Sequence, residues 1–77
     1  NILAVMKDYH AALVDYNKAI ELDSRFSDAY YNRGLTNVFL GNNRQGIQDL
    51  SKAGELGIFS AYSVIKRFIS VTEKQNE

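Results

Sequence analysis

The chain has 77 residues, nine Lys+Arg against nine Asp+Glu, and no cysteine. A domain of this size buries only about 60–65% of its unfolded-chain surface, so there is room for one small core. A formal net charge of zero gives no electrostatic case for a nucleic-acid or anionic-membrane partner. Without cysteine there are no disulfides and no thiolate metal sites. No apolar run reaches the roughly 18 residues of a transmembrane helix, so membrane insertion is not expected.

Proline is absent, glycine is sparse, and apolar residues recur at three and four, which predicts helices throughout. The chain opens inside an apolar pattern, Ile2, Leu3, Val5 and Met6, and so reads as a piece of a longer protein beginning with a partial helix over 1–6. A turn is expected at 7–8, with Asp8 capping a helix over 9–22. That helix carries an apolar stripe of Ala12, Leu13, Tyr16, Ala19 and Ile20. Asp15, Lys18 and Glu21 lie opposite it, and exposed i,i+3 contacts of Asp15 with Lys18 and of Asp49 with Lys52 are expected. After a turn at 23–26 a second helix covers 27–40. Gly41 is suited to the left-handed conformation that ends it. Asn42 then opens Asn-Asn-Arg-Gln, a capping-box spacing in which Gln45 can reach back, and a third helix covers 43–56. A turn at 57–58 leads to a last helix over 59–73. Its polar stripe (Ser60, Ser63, Lys66 or Arg67, Ser70, Glu73 or Lys74) opposes an apolar one (Ala61, Tyr62, Ile65, Phe68, Ile69).

This map repeats itself. Displaced by 34 residues, Asp15 meets Asp49, Lys18 meets Lys52, Ala19 meets Ala53, Glu21 meets Glu55 and Leu22 meets Leu56. The caps Asp8 and Asn42 coincide, and small Ala12 falls on small Gly46. A second echo links Phe26-Ser27-Asp28-Ala29-Tyr30 to Phe59-Ser60-Ala61-Tyr62. Two helices per period near 34 residues is the signature of one helical repeat class.

With Ala29-Tyr30-Tyr31-Asn32-Arg33-Gly34, Gly41, Gly46, Leu50, Ala53 and Leu56 in these registers, the chain resembles the tetratricopeptide repeat family. Tyr9, Ala12, Tyr16 and Lys18-Ala19-Ile20-Glu21-Leu22-Asp23 carry the same resemblance in the preceding half-unit. The resemblance implies an all-α solenoid fragment of antiparallel helix pairs. Residues 1–24 would be a partial repeat, 25–58 a complete repeat, 59–73 a capping helix with a polar outer face, and 74–77 a tail. The sequence departs from the family pattern at Ser24 (usually proline), Arg33 (usually leucine), and Asn37 and Asn43 (usually aromatic).

The resemblance also implies a protein-interaction module that takes a peptide or helix against the first helix of each pair. By position the groove-facing residues are Asp28, Tyr31, Asn32, Leu35, Val38 and Phe39, with Asn1, Ala4 and Val5 on the partial helix. Tyr31, Leu35, Val38 and Phe39 also stand at the spacing of an ordinary core stripe, so a purely structural role is open for them. Asn32 matches an asparagine that some members use to clamp a terminal carboxylate, but the matching cap-helix position is Val64, which is not basic. Phe39 fills a position that is usually polar in the family. The alternative function is structural: the C-terminal end of a longer array, serving assembly or self-association through the open N-terminal end.

Nothing suggests an enzyme. His10 is the single histidine, next to Asp8 in an expected turn, with no carboxylate at i+4. The glycines do not cluster into a phosphate loop. No catalytic residue, cofactor or metal ligand is expected, and the sequence gives no compartment.

Overall fold

The computed structural model describes residues 2–75, with side-chain surroundings for residues 2–70. Asn1, the end of the tail and the side chains of Glu73 and Lys74 lie outside the described residues. Four helices follow one another: α1 Ile2–Leu22, α2 Ser27–Phe39, α3 Asn43–Glu55 and α4 Ser60–Gln75. No strand occurs among the described residues. Each helix packs on its neighbours in sequence. The result is a slab measuring 42 × 34 × 15 Å over its Cα atoms.

The turns form for local reasons. Gly41 takes φ 87° and Gly57 φ 117°, the left-handed region that costs a side chain-bearing residue about 1–2 kcal/mol. At the first turn the amides of Gly41 and Asn42 donate to the carbonyls of Val38 and Asn37. At the second, the amides of Gly57 and Ile58 donate to Gly54 and Ala53. Both pairs satisfy carbonyls that a helix end otherwise leaves open. The α1–α2 turn has no glycine. There the Arg25 amide donates to Asp23 Oδ1 at 3.0 Å, and the Tyr30 hydroxyl donates to the Ser24 carbonyl at 3.0 Å. These bonds fix the corner at the position where Ser24 replaces the family's proline.

Two local expectations fail. The turn at 7–8 does not form, and α1 is one unbroken helix through Asp8, which caps nothing. In the 34-residue register Lys7 stands where Gly41 ends α2. Lysine pays the left-handed penalty that glycine avoids, so continuing the helix is the cheaper course. The capping box at Asn42 is not made either. Asn42 Nδ2 donates instead to Asn37 Oδ1, and Gln45 Nε2 donates to Asp49 Oδ1.

The core is small, as a thin slab requires. Leu50, Ala53 and Ala61 form its buried centre, with Tyr30, Tyr31, Leu35, Val38, Ile58, Val64 and Ile65 packed around them. Helices α2 and α3 touch backbone to backbone where Gly34 meets Gly46. A Cβ on Gly34 would lie 2.9 Å from the Gly46 carbonyl oxygen, and one on Gly46 would lie 2.8 Å from that of Gly34. Helix propensity alone favours alanine over glycine at position 46 by about 1 kcal/mol. Overpacking against a backbone oxygen costs more, so Gly46→Ala should destabilise the domain by about 2 kcal/mol. That corresponds to a fall of about 10 °C in the thermal midpoint followed by circular dichroism. An unchanged or raised midpoint would show that propensity wins.

Candidate functional site

Helix α2 presents two opposed faces, because successive residues turn by about 100°. Asp28, Tyr31, Asn32, Leu35, Val38 and Phe39 all fall on one side. Of these, Asp28, Asn32 and Phe39 are exposed, whereas Tyr31, Leu35 and Val38 are half-buried against the Leu50–Ala53–Ala61 core. This face is therefore a wall whose base is core and whose rim is open. Phe39 is 66% exposed, yet its ring stacks on Tyr9 of α1, with centroids 5.9 Å apart and planes 25° apart. Of the N-terminal candidates, Ala4 and Val5 lie on the unbroken α1 before the Tyr9–Phe39 contact, so they do not form a separate helix beside α2.

On the other side of α2, about 180° away, lie Arg33 and Asn37. Arg33 Nε donates to Asp49 Oδ2 at 2.9 Å and Nη2 to Asp49 Oδ1 at 2.7 Å, a two-pronged pair of the strong, charge-assisted kind. Asn37 Nδ2 and Gln45 Nε2 complete the carboxylate with bonds of 3.3 and 3.2 Å. Arg33 Nη1 reaches across to Asn17 Oδ1 of α1 at 3.0 Å. The guanidinium also lies 5.6 Å from the Tyr30 ring centroid. One arginine thus ties three helices together.

Asp49 is 3% exposed, so the surface contact with Lys52 expected from the repeat does not describe it. Its 34-residue counterpart Asp15 is exposed. The two aspartates share a register, but Arg33 of α2 lies against Asp49 alone. Four donors on the Asp49 carboxylate offset the cost of burying it. No buried side-chain nitrogen or oxygen among the described residues lacks a partner. The Asp49 hydrogen bonds, more than the attraction of its charge, hold the Arg33 guanidinium above its ordinary range, against the opposing effect of burial. A folded value raised above the unfolded one means that this contribution is complete at neutral pH and is lost only in strong alkali.

Sequence reasoning missed this network. The signal was present in two of the noted departures, Arg33 and Asn37, which are polar residues four apart where the family pattern is apolar. Together with Asp49 they exchange an apolar contact for an ionic one. Leu13, Asn17, Arg33, Asn37 and Gln45 line a cleft of about 320 Å³ between α1 and α3, floored by α2.

Two family models match the chain, one described as TPR repeat over residues 1–41 and one as tetratricopeptide repeat over residues 27–56. The chain belongs to the tetratricopeptide repeat family. Neither a curated protein nor a solved structure matches it. Tetratricopeptide repeats mediate protein–protein interaction and are generally not enzymes. No helix among the described residues is long and apolar enough to cross a membrane.

Within this tetratricopeptide unit the ion pair should behave as a coupled element. Arg33→Leu restores the family's usual residue but strands Asp49, and should cost about 3 kcal/mol. Adding Asp49→Leu removes the stranded charge and should bring the midpoint back to the wild-type level or above. Urea denaturation of the two single variants and the double variant checks this. Additive losses in the double variant would show that the pair is not coupled.

Proposed function

We propose that this tetratricopeptide unit binds a peptide or helix of a partner protein on the α2 face built from Asp28, Tyr31, Asn32, Leu35, Val38 and Phe39. The observation that carries this reading is the exposure of Phe39. An aromatic ring seated on Tyr9 but largely open to water is a preformed anchor, since one of its faces is already held in place. Tyr31, Leu35 and Val38 extend the apolar floor from it. Asp28 and Asn32 supply polar groups that orient a ligand, with Asp28 favouring a basic or N–H-bearing group. A partner with an apolar stripe at helical spacing fits this arrangement.

The test uses peptides selected for binding to the wild-type chain. An exposed aromatic anchor contributes about 2 kcal/mol or more to an interface. Phe39→Ala and Tyr31→Ala should therefore each weaken the selected peptides at least about tenfold with helicity unchanged. Lys66→Ala with Arg67→Ala, on the polar stripe of α4, should change affinity little. If Phe39→Ala unfolds the domain and leaves affinity unchanged, Phe39 is a structural residue and the proposal fails.

A second reading, assembly or self-association, is favoured by the start of α1. Tyr9 stacks on Phe39, the last residue of α2, so residues 2–8 run past that helix as an arm about 10 Å long. Ile2, Leu3, Val5 and Met6 on this arm are all exposed, the first two by 74%. Two copies pairing through these arms would cover them, and zero net charge raises no overall repulsion. Sedimentation should then show concentration-dependent dimers that Leu3→Lys with Val5→Lys abolishes. A wild-type chain that stays monomeric at millimolar concentration would overturn this reading.

A further inference from the structure

The cleft between α1 and α3 has chemistry of its own, on the side of α2 opposite Phe39. Its lining is four polar side chains, Asn17, Arg33, Asn37 and Gln45, and one apolar one, Leu13. The charged member, Arg33, is neutralised by Asp49 directly behind it. A carboxylate or phosphate entering the cleft would meet the buried Asp49 charge as well as the guanidinium, so the site does not favour anions. Its remaining hydrogen-bonding capacity is mixed. Nη1 and Nη2 of Arg33 carry two hydrogens each, and the bonds to Asn17 and Asp49 use one apiece. Asn17 accepts through Oδ1 and Gln45 donates through Nε2, which leaves Asn17 Nδ2 as a donor and Gln45 Oε1 as an acceptor. Neither of these two atoms makes a hydrogen bond within the described residues.

We infer that this cleft binds a neutral carboxamide, the side chain of a glutamine or asparagine in a protein partner. The ligand carbonyl accepts from Arg33 and Asn17, its NH₂ donates to Gln45 Oε1, and its methylenes lie on Leu13. A volume of about 320 Å³ is at the small end of ligand sites, enough for one side chain and its flanking backbone but not for a drug-sized molecule. The pairing has the specificity of an amide reader. A hydrocarbon would leave the open donor and acceptor unmet, and a carboxylate has no hydrogen to give Gln45. This second surface does not depend on the α2 face proposed above for peptide binding, and the experiment separates the two.

The probe is N-acetyl-glutamine N-methylamide, titrated into the isotopically labelled chain and followed by NMR, with the glutamate and leucine analogues at pH 7 as comparisons. The glutamine probe should shift the side-chain NH₂ signals of Asn17 and Gln45 and the Arg33 Nε–H. Saturation should occur with a Kd of about 1 mM, as expected for so small a ligand. The glutamate and leucine analogues should bind at least about tenfold more weakly. Asn17→Ala and Gln45→Ala, both at exposed positions and verified as folded by circular dichroism, should each weaken the glutamine probe at least about threefold. Equal or stronger binding of the glutamate or leucine analogue would overturn the proposal. So would the absence of saturable shifts in this cleft, shifts centred on Tyr31 and Phe39 instead, or unchanged affinity in both folded variants.

Discussion

The contact between the Gly34 and Gly46 backbones sets the distance on which the rest of the structure depends. It brings α2 and α3 close enough for Leu50 to be fully enclosed and for Arg33 to reach Asp49 with two parallel hydrogen bonds. A wider spacing would lengthen both bonds and leave a buried carboxylate short of donors, and that costs far more than a surface ion pair gains. The close approach and the ionic network are therefore one device. The small residues admit the helix, and the charged residues fix its position along the axis, because a two-pronged arginine contact tolerates little sliding.

The architecture was legible because the repeat carries it. Small and apolar positions recur at 34 residues, and the turns expected at 23–26, 41–42 and 57–58 all form. What was not legible depends on neighbours rather than on register. Asp15 and Asp49 hold the same place in the 34-residue register, each with a lysine three residues on, yet Asp15 is exposed and Asp49 is buried under Arg33 of α2. Periodicity cannot report that. The missing turn at 7–8 is a different case. Lys7 occupies the place of Gly41, and a single substitution at a left-handed position outweighed the analogy between the two units. The face of α2 that carries Phe39 was readable from family position, but the Tyr9 stack that supports it was not. That contact joins residues thirty positions apart, on two helices whose packing the sequence alone does not give.

A slab 15 Å thick encloses little, so most of its side chains lie at a surface. The two sides of α2 differ in chemistry. Its apolar, aromatic side offers area and shape, and its polar side offers a fixed set of donors and acceptors held by the Arg33–Asp49 pair. The second is the more exacting kind of surface, because each of its groups is oriented by another.

The same network limits how this unit can be shuffled. Helical repeats diversify by duplication and recombination, which presumes that any unit fits against any other. Arg33 breaks that interchangeability. It pairs with an aspartate sixteen positions later on α3 and with an asparagine sixteen positions earlier on α1. A unit copied to another place in an array would keep the aspartate but could lose Asn17. A foreign unit inserted before it would set an arbitrary side chain against the guanidinium. Arg33 thus links α2 forward to α3 through Asp49 and back to α1 through Asn17, and the backward link depends on which helix precedes it.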